Sequence, residues 1–399
     1  MDAPTRIPLR YEHPFSFSGN TAEYFKIWII NVCLSIITLG IYSAWAKVRT
    51  LRYFYGNTRV AGHAFNYTAD PLRILKGRVL AVTALISYFA LTNFYPRAAL
   101  ALFSFGVLLA PAIIVIAARF NLRNSTYRNI HFSMESDIFG AYKIFIKPLF
   151  VLLALSWAIY LLTENSQFVQ GMEKATESEF HREDLFTTYF AFLLMPALPY
   201  LDYLRVRFLI DHTSWGDQKF HFEAGAWPFY YIYIIALLLV FALMFMMAAV
   251  GIVAGILVAY FGSGDVATAG ASPDNPAAAG MLMFLAVILS SYLLMLFVGG
   301  YIRATRTNLI MDKTTIEDGR LASRIGAWRM GWIYFSNTVC ILLSAGLLIP
   351  WATIRATKYI ADCSFYEHVS VEDVASADGG GGSAVGEELV DAFDMDIGL

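Results

Sequence analysis

The chain has 399 residues, 58% of them hydrophobic and 16% aromatic but only 15% charged, with a formal net charge of −2. That balance excludes an ordinary soluble globular domain and leaves no basic surplus for a nucleic-acid partner; the chain reads as a membrane protein. Its three cysteines, Cys33, Cys340 and Cys363, stand far apart with no CxxC, which suggests neither a disulfide framework nor a zinc site.

Taken in chain order, residues 1–23 carry no apolar run of the kind a cleaved signal peptide needs and read as a cytoplasmic N-terminal segment. A span needs roughly 20 mostly apolar residues to cross about 30 Å of hydrocarbon. Six segments meet this plainly, at 79–96, 98–118, 144–162, 185–201, 227–261 and 281–300, and two more apolar stretches lie at 24–45 and 332–351. Pro196 and Pro199 are expected to kink the fourth plain span. Residues 24–362 thus form one polytopic domain. The remainder, 363–399, contains the linker-like "DGGGGSAVG" and many acidic residues, and reads as a disordered tail that could dock a protein partner.

Lys and Arg set the orientation. The loops at 46–78, 119–147, 202–226 and 301–331 hold almost all of the basic residues near the spans, whereas the alternating loops hold three. The first set is therefore expected inside. Because 24–45 and 332–351 both begin and end beside inside-facing segments, each is expected to re-enter on one face, with Thr38–Gly40 and Ser344–Gly346 supplying the turn. Eight full spans with both termini outside is the alternative.

Shifting the chain on itself by 306 places Asn31 on Asn337, Gly40 on Gly346, Trp45 on Trp351, Arg49 on Arg355 and Arg52 on Lys358. A shift of 52 also matches "IRATR" at Ile302 to "IRATK" at Ile354. Looser relatives follow the other inward-running spans, each with basic residues, a polar turn containing Thr58, Thr126 or Thr213, and an aromatic pair near Phe65, Phe132 or Phe220. Such alternation around turn residues predicts short cytoplasmic β-hairpins between internal repeats. The expected fold is an all-α integral membrane protein of eight hydrophobic segments, about six full transmembrane helices plus two re-entrant or additional segments.

"FSFSGNTAEYFKIWIIN", "TLGIYSAWAKVRTLRYFYGNT" and "GHAFNY" resemble the YjgN family of polytopic bacterial inner-membrane proteins, a family of unknown function. The likeness is sharpest over residues 15–78 and returns at 331–359. It implies a multi-pass inner-membrane location and carries over no established catalytic or binding residues.

Candidate chemistry is sparse. Asn31 and Asn337 either line a polar path or bond across helices. Arg49, Arg52, Arg355 and Lys358 pair up at i, i+3 and suit an anionic ligand or lipid headgroup, with Trp45 and Trp351 as interfacial anchors. Asp202 is a candidate for proton or cation coupling, or a local ion pair with Arg205. His63, His131 and His221 lie too far apart in sequence for a local ligand motif, and no metal, cofactor or catalytic constellation is expected. The expected function is a non-enzymatic transporter or channel-like permease for a small or lipid-like solute, in contact with membrane lipids. An envelope scaffold or lipid-organising protein is the alternative.

Overall fold

The computed structural model describes residues 11–135, 137–163, 182–261, 276–316 and 319–368. Among these, ten helices alternate with pairs of short strands. The helices are α1 (Thr21–Ile37), α2 (Ser43–Asn57), α3 (Pro71–Phe94), α4 (Pro96–Arg123), α5 (Ile138–Thr163), α6 (Arg182–Asp211), α7 (Trp227–Phe261), α8 (Pro276–Asp312), α9 (Ala327–Leu343) and α10 (Ile349–Asp362). Local chemistry explains the starts: the side chain of Asn20 accepts from the Ala22 N–H, and that of Asp70 from the Leu72 N–H, with Pro71 at the first helical position.

The strands are β1 (Tyr11–Pro14), β2 (Ser16–Phe17), β3 (Thr58–Val60), β4 (His63–Tyr67), β5 (Ser125–Tyr127), β6 (Ile130–Met134), β7 (Thr213–Trp215), β8 (Gln218–Phe222), β9 (Thr314–Ile316), β10 (Gly319–Ser323) and β11 (Ser364–His368). They form one antiparallel sheet in which hairpin follows hairpin from β3 to β10. The ends meet: β1 pairs with β11, while β2, one residue further on, pairs with β3. Phe15 donates its N–H to Ser364 and Ser18 to Asn57. Residues an odd number apart in extended chain point their N–H groups to opposite edges, so segment 11–18 has β11 on one side and β3 on the other. The sheet therefore closes into a barrel-like ring, which leaves no long free edge.

The helices close too. Each packs on the next in chain order, and α10 packs on α1. At each helix-to-strand junction a hydroxyl side chain folds back: Thr58, Ser125, Thr213, Thr314 and Ser364 each donate to the carbonyl four residues earlier, at 2.7 to 2.9 Å. All five are buried. The tight β3–β4 and β5–β6 turns hold Ala61 with Gly62 and Arg128 with Asn129 at positive φ, the backbone that matches the twist of a two-residue hairpin. One sheet face joins the helix ends in a single apolar cluster that includes Phe15, Tyr67, Tyr127, Phe132, Trp215 and Leu321. The other carries exposed polar residues such as His63, His131 and His221.

Two expectations change, and a third is met only in part. The fold is mostly helical but not all-α, since the hairpins combine into one closed sheet instead of standing apart. Strand β11 occupies the first residues assigned to the tail; the rest of that tail lies outside the described residues. Among the described residues, four helices are long and apolar enough to cross a membrane: Pro71–Phe94, Arg97–Arg123, Ile138–Ile159 and Trp227–Val253. Helices α6 and α8, which hold the other two expected spans, are not among them, and α6 runs unbroken through Pro196 and Pro199.

Candidate functional site

The two apolar stretches at the chain ends fold as helical hairpins, α1–α2 and α9–α10, that lie side by side through α1 and α10. Their tips are the same structure. Leu39 and Gly40 have φ of 50° and 88°; Ala345 and Gly346 have 49° and 91°. Glycine reaches such angles without a Cβ penalty, which is why it recurs there. Thr38 Oγ1 accepts the Tyr42 N–H at 2.9 Å and Ser344 Oγ the Leu348 N–H at 3.1 Å, while Gly40 and Gly346 donate to Ser35 and Ile341. Apolar side chains crowd both exposed tips, among them Ile37, Leu39 and Ile41 on one and Leu343 and Leu347 on the other.

Asn31 and Asn337 do not meet across the pair. Each is tied within its own hairpin: Asn31 Nδ2 donates to the Ala46 carbonyl at 3.4 Å and Asn337 Nδ2 to that of Ala352 at 3.0 Å. The oxygen ends differ. Arg355 Nη1 donates to Asn337 Oδ1 at 3.0 Å and to Ser336 Oγ at 2.7 Å, with its guanidinium 5.2 Å from the Trp351 ring centroid. Asn31 Oδ1 is buried and accepts nothing among the described residues, and Arg49 lies exposed. Trp45 stacks on Tyr42 at 6.2 Å. Arg52 is spent on the carbonyls of Tyr67 and Ala69, at 3.1 and 3.3 Å, and Lys358 is exposed.

Asp202 finds a different partner from the one expected. Arg306 of α8 grips it with Nε and Nη2, both 2.9 Å from a carboxylate oxygen, and the Tyr233 hydroxyl of α7 donates at 3.1 Å. This triad ties α6, α7 and α8 together, and Arg205 forms no ion pair with it. No pattern in the sequence singled out Arg306, whose pairing with Asp202 depends on the packing of two helices.

A family model described as "Bacterial protein of unknown function (DUF898)" matches residues 12–392. The chain belongs to the DUF898 family. Relatives of this DUF898 protein include the inner membrane protein YjgN of Salmonella typhimurium, 21% identical over 360 residues that cover 88% of this chain and 87% of the relative. The Escherichia coli K12 protein of the same name is 45% identical over 67 residues, 17% of this chain and 15% of the relative. No solved structure matches. The names of these relatives and the apolar helices together support an inner-membrane location for this DUF898 protein.

Near the sheet, burial raises the Asp312 carboxyl above the ordinary carboxylate range, although the Ser323 N–H it accepts at 2.8 Å opposes the shift. Burial likewise pushes the Tyr67 phenol up to about 12. Glu367, nearly buried, accepts from Arg320 at 2.6 Å, a hydrogen bond that raises the guanidinium still further. Among the described residues no three His, Cys, Asp or Glu side chains gather as metal ligands.

Proposed function

We propose that this protein is a non-enzymatic permease for a small or lipid-like solute, its path running beside the paired hairpins α1–α2 and α9–α10. The observation that carries this reading is that two helical hairpins too short to cross a bilayer stand side by side. Helix α1 has 17 residues and α10 has 14. At 1.5 Å per residue these are about 25 Å and 21 Å long, against about 30 Å of hydrocarbon. In this reading α3 to α8 cross the membrane, the two hairpins re-enter from the cytoplasmic side, and the ring with both termini lies in the cytoplasm. Basic residues near the sheet ends of the helices support that orientation. The recurring helix–hairpin–helix unit is then an internal repeat closed by the two chain ends, and short hairpins beside full spans leave the kind of gap where transport folds place a solute path.

The test is flux in vesicles. Reconstituted protein should let dithionite bleach nearly all of a fluorescent headgroup-labelled phospholipid, beyond the outer half that is accessible without it. A plateau at half, together with no uptake of small hydrophilic tracers, would remove the permease reading.

A scaffold that organises lipid is the second reading. It is favoured by the way Asn31 and Asn337 bond inside their own hairpins. Its partner would be lipid, with the acidic tail as a further contact for a protein. Replacing both asparagines by Leu separates the two: flux should vanish in a permease, and a scaffold should stay assembled and functional.

A further inference from the structure

We infer that the α1–α2 hairpin holds a glycerophospholipid whose headgroup carries a hydrogen-bond donor besides its phosphate, and that its sister hairpin α9–α10 does not. This deepens the permease reading and rests on its placement of the hairpin tips in lipid.

The inference starts from a broken equivalence. In α9–α10 the arginine is consumed by Ser336, Asn337 and the Trp351 ring. In α1–α2 the position matching Ser336 is Ile30, so the hydroxyl that would hold Arg49 is absent. Arg49 is exposed, and Asn31, only 6% exposed, keeps an orphan Oδ1. A buried acceptor without a partner costs about 1–3 kcal/mol, so such atoms are normally filled by a donor. The sister geometry brings an arginine on the second helix within 3.0 Å of the asparagine oxygen on the first. Phosphate and donor would therefore be held next to each other, one by Arg49 and the other by Asn31.

The rest of α2 has the profile of a lipid. Tyr42, Trp45 and Arg49 share one helix face, by their spacing of three and four, and the two rings stack. Arg49 is six residues, about 9 Å along the axis, from the helix start at Ser43. Beyond lie the exposed side chains of Ile41 and Leu39. From base to tip the order is cation, aromatic, aliphatic, matching phosphate, glycerol ester and acyl chain. A free anion would use only the first of these.

The test is equilibrium binding to the full chain in detergent, read by native mass spectrometry. Palmitoyl-oleoyl phosphatidylethanolamine and phosphatidylglycerol, which carry N–H or O–H donors, should bind at least tenfold tighter than the phosphatidylcholine of the same chains. Asn31→Leu should remove that advantage, Arg49→Gln should weaken all three lipids together and Arg49→Lys much less, and Arg355→Gln should leave binding unchanged, with an unaltered melting temperature for the Arg49 variants. Equal binding of all three lipids, equal loss with Arg49→Gln and Arg355→Gln, or full competition by millimolar inorganic phosphate would each overturn the assignment. Selective binding without flux would end the permease reading and keep this site; flux without selectivity would do the reverse.

Discussion

Arg306 and Asp202 are joined by two hydrogen bonds of 2.9 Å across 104 residues of chain, and they fix α8 to α6. Both side chains are largely removed from solvent, so deleting one strands the other's charge. Such a loss costs about 3–5 kcal/mol. Asp202→Asn and Arg306→Gln should each lower the unfolding temperature sharply, whereas the double variant should lose little more than either alone. Arg205→Ala is the control and should be near neutral. A double-mutant cycle in detergent reads the coupling; if Arg205→Ala costs as much as Arg306→Gln, the pairing is wrong.

Helices α8 and α9 cross where Gly300 meets Gly331. A Cβ on Gly300 would sit 2.5 Å from the Gly331 Cα, against backbone that cannot rotate away. Its neighbour Gly299 faces open space. The same substitution at adjacent positions should therefore have opposite signs. Gly300→Ala should destabilise by about 1–3 kcal/mol as the helices are forced apart. Gly299→Ala should stabilise by up to about 1 kcal/mol, since glycine is a poor helix former. Thermal unfolding of the two single variants decides it.

The shift of 306 was legible because both hairpin tips must solve the same turn with the same few residues: a hydroxyl at 38 or 344 and a glycine at 40 or 346. The small hairpins were legible for a similar reason, since alternation and turn residues act over a handful of positions. Ring closure was not. It depends on pairing Tyr11 with His368, a contact between chain ends that no local pattern encodes. Nor could Arg306 be chosen over Arg205 for Asp202, because spacing along one helix says nothing about a cation delivered by another. The difference between Arg49 and Arg355 goes with two substituted positions, Ile30 for Ser336 and Thr50 for Ala356, whose effects show only once the helices are packed.

Asp312 gives the sheet end of α8 a pH dependence whose sign is set by burial. Its folded carboxyl titrates above the ordinary value, mainly from loss of solvent. The protonated form is thus favoured in the fold, and its contribution is fully present below the unfolded value. It is lost as pH rises through the folded one. Asp312→Asn keeps an oxygen for the Ser323 N–H and removes the buried charge. The variant should melt higher than the parent at pH 7, and the gap should close as pH is lowered through the acidic range. A gap that widens toward low pH would contradict the direction of the shift.

Leu343 tests whether the hairpin tips lie in lipid. It is 84% exposed at the end of α9, beside the turn that opens α10. If that surface met water, Leu343→Asp would cost at most about 1 kcal/mol, from a carboxylate at the negative end of the helix dipole. In hydrocarbon the same change costs about 2.5–3.5 kcal/mol. The re-entrant reading requires the larger figure, and it requires the penalty to appear in lipid nanodiscs. Comparing unfolding of the variant and parent there separates the cases, because the two ranges do not overlap. A penalty below about 1 kcal/mol would lift the tips out of the membrane and, with them, the proposed lipid site on α1–α2.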